Sequence, residues 1–479
     1  MLVMKFGGTS VGDARRVRES ARIALSRPGP NILVVSACGG VTNLLLEAGN
    51  AAAMGETEAR SRAVKTIHAK HDNVLSGIND EALQSQTRAA IDQLHSSLDT
   101  TLDEIASAGE FSPLLSDRLV SHGEKSMATM MSATIRDMGT PSAPIFSDTV
   151  LATDARHGSA RPNRELTRER ALELILPHLE AGETVVCTGF IGFSPQGNTT
   201  TLGRGGSDYS ATLIGAAIDA SEVQIWTDVP GMLSADPRKV STARVIPEVT
   251  YDEAQELAHF GAKVLHPRTI RPAVSAGIPV RILSTFQPTN AGTVVRQGGQ
   301  SQRIKATTAL KGLTMMTIDV PELEDLAGVS AAVFHQLHVD QVEIISVQQS
   351  SSRRAMTFIL DTMGSGCNVV LSKINAAIGE LEADIDCHDD VAVLAAVGEG
   401  AANSSASLAQ LLALLSRAGV EVLNATQQNS NAAMVVVVPE SSADRAVQVV
   451  HDGLIGSSRA NRRSGGKRRE LIGESYRVG

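Results

Sequence analysis

The sequence predicts an α/β protein in two parts: a three-layer domain with a largely parallel sheet over residues 1–298, then a duplicated α+β module over 304–455, closed by a basic tail over 456–479. Three observations carry this. Short β-rich runs alternate with helical patterns through the first part, the pattern of a parallel sheet covered by helices. A polar, turn-rich stretch at 287–303 interrupts the alternation and marks a boundary. Beyond it the chain matches itself at an offset of 78 residues, which reads as a duplicated unit.

The strands expected in the first part are Leu2 to Phe6, Ile32 to Ala37, Thr184 to Ile191, Glu222 to Thr227 and Val280 to Leu283. Such sheets bind ligands beyond the carboxyl ends of their strands, where the Gly-, Ser- and Asp-rich segments of this chain fall. Leu114 to Ile135 has helical periodicity, with Gly123 inside the apolar stripe of Leu115, Leu119 and Met130 and Glu124 at its edge. In the repeat, Val342-Glu343-Ile344-Ile345 aligns with Val420-Glu421-Val422-Leu423, Gln349 with Gln427, and Ala355-Met356 with Ala433-Met434. Leu313 to Ile318 and Val391 to Ala396 are matching strands, and Val333, Phe334 and Leu337 match Leu411, Leu412 and Leu415 as one helix face. Each copy reads strand-helix-strand-strand-helix, either as a structural duplication or as a paired small-molecule sensor.

Composition narrows the function. The chain has 479 residues, 42% of them apolar, and a net charge of -9. That balance argues against a nucleic-acid partner and leaves an anionic substrate to be captured by local cations. No stretch has the ~20 apolar residues of a membrane span, and none reads as a targeting segment, so the cytoplasm is the expected location. The four cysteines, Cys38, Cys187, Cys367 and Cys387, form no CxxC pair and read as buried thiols rather than a disulfide framework or zinc site. His122 and His266 read as structural histidines, and no metal-ligand spacing is present. The tail from Ser457 carries seven Lys/Arg against two Glu and reads as disordered.

The run Lys5-Phe6-Gly7-Gly8-Thr9-Ser10-Val11 sets a cation and two glycines where the first strand ends. It is either a phosphate loop, with Gly7 and Gly8 exposing their amides, or a plain strand-to-helix turn. Its lysine precedes the glycines, unlike a Walker A loop. In Gly203-Arg204-Gly205-Gly206-Ser207-Asp208, at a second helix start, Arg204 has the fork geometry for a carboxylate or phosphate, and Asp208 suits Lys5 or a hydrated Mg²⁺. Ser36-Ala37-Cys38-Gly39-Gly40-Val41-Thr42-Asn43 offers hydroxyls to a polar ligand. Thr227-Asp228-Val229-Pro230-Gly231 and Ala235-Asp236-Pro237-Arg238 lie where nucleotide ribose and phosphates would sit, although each alone is only a turn. Lys263 is a second candidate cation or a solvated charge. Glu124 is a partner for a substrate ammonium or, on pattern alone, an ordinary solvent-facing glutamate.

Taken in order, KFGGTSV, SxxxGxTN at 36–43, HGE at 122–124, GRGGSDYSA, TDVPG, ADPR and GAKVLHP resemble the aspartate kinases of the amino acid kinase family. The C-terminal repeat resembles their paired ACT domains, of ferredoxin-like fold, one inserted in the other. The resemblance runs from residue 2 to about 455. It implies transfer of the γ-phosphoryl of ATP, with Mg²⁺, to the β-carboxylate of L-aspartate, giving 4-phospho-L-aspartate for lysine, threonine and methionine biosynthesis. A carboxylate nucleophile with a reference pKa of ~3.9 needs no general base, so the site must chiefly offset the repulsion between two anions. The resemblance implies Lys5 at the transferring phosphoryl group with Asp208 orienting it or the metal's water shell. It further places Arg204 on the aspartate α-carboxylate, Glu124 on its ammonium, and Ser36, Thr42 and Ser207 on its other polar atoms. Gly7, Gly8, Thr227, Asp228, Asp236, Arg238 and Lys263 would line the nucleotide. The ACT pair implies a threonine or lysine effector near Gln349 and Gln427 and a homodimer or larger homo-oligomer. Leu233 stands where relatives commonly have an aromatic near adenine, and Arg353 where they often have an acid. With only the basic tail after the repeat, the chain reads as monofunctional. The alternatives are the same kinase fold with another acceptor and a non-catalytic amino-acid sensor.

Overall fold

The computed structural model describes residues 1–261, 265–298, 303–321, 325–350, 354–362, 364, 366–378, 383–400, 404–426 and 432–456. The candidates Lys263, Gln427 and Arg353 and the tail from 457 lie outside these residues. The chain divides into two bodies, the first made of Met1–Met232, Val245–Ala258 and Lys263–Gly299, the second of Leu233–Arg244, His259–Ala262 and Gln300–Gly479.

The first body begins with β1 (Leu2–Phe6), α1 (Ala14–Leu25), β2 (Ile32–Val35), α2 (Val41–Ala53), α3 (Thr57–Leu75), α4 (Glu81–Ala108) and α5 (Pro113–Asp137). It continues through β3 (Ser142–Ile145), α6 (Arg164–Leu174), α7 (Leu176–Glu180), β4 (Thr184–Thr188), β5 (Ile191–Phe193), β6 (Thr199–Thr201), α8 (Gly206–Ala217) and β7 (Glu222–Thr227). It ends with β8 (Glu248–Thr250), α9 (Tyr251–His259, whose last residue counts with the second body), α10 (Pro267–Ala276), β9 (Val280–Ser284) and β10 (Thr293–Arg296). The main sheet runs β3-β4-β2-β1-β7-β9-β10-β8, parallel except where β10 lies antiparallel to β9. Its central strands are fully or nearly fully buried, as a sheet covered on both faces requires. The alternation of β1 does the sorting. Met4 and Phe6 enter the core that includes Leu45, Leu119 and Met131 of α2 and α5, whereas Val3 lies beside Gly215 of α8. Lys5, two residues on, shares the α8 side.

Local signals end and start the helices. Asp13 caps α1 by accepting from Arg16 N at 2.9 Å, Asp80 caps α4 by accepting from Leu83 N at 2.8 Å, and Ser112 precedes Pro113 at the start of α5. α3 and α4 bring three histidines together. His71 Nδ1 lies 2.9 Å from His95 Nε2, and the His68 and His95 rings stack at 3.8 Å. Burial, then the neighbouring His95 and His68, lower His71 to about 3, and burial lowers His122 of α5 to about 3 as well. Both stay neutral in the native state, while the unfolded chain takes up their protons near 6.5. Their contribution is therefore complete above 6.5 and is lost progressively as pH falls toward about 3. The unfolding free energy from denaturant titrations should drop between pH 7 and pH 5, by up to about 1.4 kcal/mol per group for each pH unit below 6.5. The double variant H71L/H122L should flatten that slope; an equal slope in wild type and variant would remove these histidines as its cause.

The second body contains β11 (Ala306–Asp319), α11 (Leu326–Val339), β12 (Glu343–Ser350), β13 (Ala355–Asp361), α12 (Gly366–Ile378), β14 (Asp384–Val397), α13 (Ser405–Arg417), β15 (Asn424–Thr426), β16 (Ala433–Pro439) and α14 (Ala443–Val450). One six-stranded antiparallel sheet runs β12-β13-β11-β14-β16-β15. The long strands β11 and β14 change partners midway. Thr314 to Asp319 pair with β13 and Met315 to Asp319 with the first half of β14, whereas Ala306 to Leu310 pair with its second half, which in turn pairs with β16. Register shifts between Leu310 and Met315 mark the handover. Each β-α-β-β-α copy therefore takes its fourth strand from the other copy's long strand.

Several expectations need correction. Thr293–Arg296, inside the stretch read as a boundary, is strand β10, paired with β8 and β9; four residues among turn formers leave no periodicity to read. Cys367 and Cys387 are joined, with Cα atoms 6.1 Å apart, because the first turn of α12 lies against β14, a contact that spacing does not encode. Cys38 and Cys187 are buried free thiols as expected, and burial pushes Cys187 up to about 12. Phe334 is 43% exposed while Val333 and Leu337 are buried, since it sits about 100° around the helix from Val333; it meets the Phe358 ring edge-on.

Candidate active site

The carboxyl ends of five strands form one row. Thr285 N donates to Thr227 O at 3.0 Å, Gly7 N to Trp226 O at 3.3 Å, Ser36 N to Phe6 O at 3.2 Å and Gly189 N to Val35 O at 2.8 Å. Hydrogen bonding thus runs without a break from the end of β9 through β7, β1 and β2 to the end of β4. The loops that follow these strands carry Gly7, Gly8, Ser36 and Asp228.

Lys5 Nζ lies 2.6 Å from Asp208 Oδ1, with side-chain exposures of 11% and 16%. Asp208 stands in the first turn of α8, where the helix dipole favours a negative group. Gly205, in the left-handed conformation, caps that helix, which starts at Gly206. Ser36 Oγ donates to Ser207 Oγ at 3.0 Å, tying the loop after β2 to the same turn. Arg204 is exposed just before α8, and its side chain has no hydrogen bond or ion pair among the described residues. The cradle expected of Gly7 and Gly8 narrows, because the Gly7 amide is already bonded to Trp226; Gly8 opens the short 3-10 turn Gly8–Val11.

Glu124 departs most from its pattern: it is 3% exposed. α5 is covered on almost every side, and a helical wheel registers only the strongest stripe. Its Oε1 accepts from Ala37 N at 3.3 Å, its Oε2 has no partner among the described residues, and burial lifts its pKa to about 8. A buried carboxylate oxygen without a donor favours an incoming cationic donor. Thr42 lies half-buried in the first turn of α2. A Cβ at Gly123 would stand 2.8 Å from Ala37 Cβ and 3.2 Å from Val41 Cγ1. Gly123→Ala should cost about 1–3 kcal/mol by overpacking and displace the Ala37 amide from Glu124. An unchanged denaturation midpoint would show that α5 and the β2 loop tolerate separation.

Thr227 and Asp228 follow β7, with Thr227 Oγ1 donating to Asp228 Oδ1 at 3.1 Å. Ser10 Oγ and Thr285 Oγ1, 3.1 Å apart, join the loops after β1 and β9. Asp236 and Arg238 belong to the second body, where they pair with each other at 2.8 Å, Arg238 holding the Asp236 carboxyl below its usual range. Gln349 is exposed on β12.

Sequence reasoning missed Gly189 and Phe190, which follow β4. A Cβ at Gly189 would meet Ser207 Cβ at 2.6 Å, and Phe190 adopts φ 70° while donating its N–H to Ser210 Oγ at 2.9 Å. Together they press the β4 loop onto the first turn of α8. A glycine at a strand end was the available signal, one shared with many ordinary turns.

A parallel-sheet domain with a lysine–aspartate pair at its strand ends, followed in the chain by a duplicated ferredoxin-like region, defines a class of small-molecule kinase with a regulatory half. Comparison with known proteins makes this specific. Residues 1–284 match the amino acid kinase family and residues 394–454 the ACT domain. Lysine-sensitive aspartokinase 3 of Escherichia coli is 33% identical over 463 residues, 95% of this chain and 99% of that protein. The crystal structures of E. coli aspartokinase III with aspartate and ADP, an R-state, and with lysine and aspartate, a T-state, match with TM-scores of 0.77 and 0.79, each at 32% identity over 95% of this chain and 99% of theirs. Against the bifunctional aspartokinase/homoserine dehydrogenase of Haemophilus influenzae the chain spans 57% of the length, at 28% identity over 96% of its own. The chain belongs to the amino acid kinase family and, within it, to the aspartate kinases.

Proposed function

We propose that this chain transfers the γ-phosphoryl group of ATP to the β-carboxylate of L-aspartate, with Lys5, Asp208, Glu124, Arg204, Ser36, Thr42 and Ser207 forming the working site. The observation that carries this is the 2.6 Å pair between Lys5 and Asp208, which joins the strand-end loop to a helix start where anions are favoured. Lys5 stabilises the charge that moves onto the phosphoryl oxygens, and Asp208 fixes the direction of its ammonium. Glu124 takes the substrate ammonium on its free oxygen, Arg204 takes the α-carboxylate, and the nucleotide runs past Gly8 toward Thr227 and Asp228. The nucleophile is already ionised, so the chain supplies position and counter-charge rather than a base.

Among the described residues no group of three His, Cys, Asp or Glu side chains can hold a metal. We infer a Mg²⁺ carried on the phosphates of ATP, with Asp208 as the side chain that would meet its water shell. Such an ion neutralises phosphate charge. We infer a division into a catalytic part, 1–298, and a nested ACT pair, 304–455, with lysine as the effector, supported by the lysine-bound E. coli relative. Self-association through the ACT sheet and cytoplasmic location complete the reading; no helix among the described residues is long and apolar enough to cross a membrane.

The test is ADP release with aspartate as sole acceptor, titrated with lysine and with threonine. Arg204→Ala should raise KM for aspartate by about tenfold to a hundredfold, the cost of a lost charged hydrogen bond, with little change in KM for ATP. A change confined to ATP would overturn the role of Arg204, and no aspartate-dependent ADP release at all would overturn the function.

A further inference from the structure

We propose that the first body carries a second anion site, distinct from the Lys5–Asp208 centre, that binds a small molecule bearing two or more phosphate or carboxylate groups. A cavity of about 660 Å³ opens between the loop before α6 and α10, and its wall includes Arg156, Arg161, Arg164, Arg268 and Arg271 beside Tyr209. Its volume is that of a small-molecule site. None of Lys5, Asp208, Arg204, Glu124, Ser36, Thr42 or Ser207 lines it.

Five guanidinium groups around one cavity repel each other unless acids intervene, and here the nearby acid is already used. Asp154 accepts from the backbone N–H of Arg161 at 2.9 Å and of Arg156 at 3.2 Å, and pairs with Arg156 Nε at 3.5 Å. Arg268 donates to Ala160 O at 3.3 Å and lies over the Tyr209 ring at 5.3 Å. The side chains of Arg161, Arg164 and Arg271 have no hydrogen bond or ion pair among the described residues. In a chain of net charge -9, such a concentration of uncompensated charge is a local attractor for anions.

The wall is also prefixed. Buried Asp117 of α5 accepts from His157 Nδ1 at 2.8 Å, from Gly158 N at 3.0 Å and from Thr201 Oγ1 at 2.5 Å, while Ala160 N donates to Thr201 O at 2.9 Å. Asn163 N donates to Ala152 O at 2.8 Å and the Asn163 side chain caps α6. Arg156 and Arg161 therefore stand on a pinned loop, with Arg268 and Arg271 facing them from a helix. Little ordering is left for a ligand to impose, which favours bidentate capture of oxyanions. Tyr209 directly follows Asp208, so the two anion sites share the first turn of α8.

The experiment is calorimetric titration of the full chain with inorganic pyrophosphate and, separately, citrate, in metal-free buffer at about 0.15 M salt to screen loose surface association. Wild type, the double variant R161A/R271A and Lys5→Met are compared, with circular dichroism confirming the fold and Arg271→Gln alone as a milder substitute should the double variant misfold. The expected result is saturable binding of at least one probe, weakened tenfold or more in the arginine variant and retained in Lys5→Met. Pyrophosphate alone identifies a phosphate ligand, citrate alone a polycarboxylate. No binding by wild type, binding undiminished in the arginine variants, or loss only in Lys5→Met would overturn the proposal. Because aspartate-dependent turnover is not the readout, its failure is separable from failure of the kinase reading.

Discussion

Lys5→Met should lower kcat for aspartate-dependent ADP release by about 10² to 10³, the usual cost of removing one preorganised charge stabiliser, while the protein still folds. Methionine has nearly the same length and keeps the packing of the aliphatic stem at the end of β1. What it lacks is the ammonium that sits 2.6 Å from Asp208. The variant leaves Asp208 facing the incoming phosphates without a counter-charge, so the penalty falls on the transition state, where negative charge is being redistributed. The check is steady-state kinetics with both substrates saturating, beside a circular dichroism melt. Turnover within a few-fold of wild type in a folded variant would remove Lys5 from the chemistry.

Glu124 should make aspartate capture strongly dependent on pH. Burial holds its free-enzyme pKa at about 8, so near neutrality the carboxyl is mostly protonated, and a substrate ammonium must bind the ionised form. Aspartate binding then releases a proton, and kcat/KM for aspartate should climb as pH rises from 6 to 8, by up to about tenfold per unit, and level off above. The contribution of Glu124 to the stability of the unliganded protein moves the other way. A carboxyl whose folded pKa lies above its unfolded value contributes stability that is whole below about 4.5 and is lost as pH rises through about 8. Aspartate should therefore raise the melting temperature more at pH 8 than at pH 6.5. Glu124→Gln keeps the volume, removes the titration and should flatten both profiles while raising KM for aspartate. Identical pH profiles in wild type and Glu124→Gln would show that another group governs capture.

Legibility in the sequence followed the range of the interaction. The placement of Lys5, Ser36, Arg204 and Asp208 at strand ends and a helix start was readable because glycines mark such points, and a parallel sheet brings strand ends to one edge. The repeat was readable because its 78-residue offset preserves apolar spacing strand by strand. Glu124 was misread on pattern because the wheel of α5 cannot show that the loop after β2 covers its polar edge. Strand β10 hid in a segment of turn formers, since its pairing comes wholly from distant β8 and β9. Gly189 and Phe190 read as part of a strand running from Thr184 to Ile191, whereas β4 ends at Thr188 and Ser207 lies within 2.6 Å of a Cβ built at Gly189. The join between Cys367 and Cys387 likewise depends on where α12 returns.

The exchange of half-strands in the second body means that neither repeat is a separable part. Cutting the chain ahead of β14 would strip the later repeat of Ala306–Leu310 and leave the apolar edge of Val391–Val397 unpaired, an invitation to sticky self-pairing. Excising the earlier repeat would break the later one in the same stroke. An amino acid seated against either half therefore pulls on rails common to both, so the two halves answer as a single mechanical piece, and selection can tune their sensitivity without being able to trade one of them away.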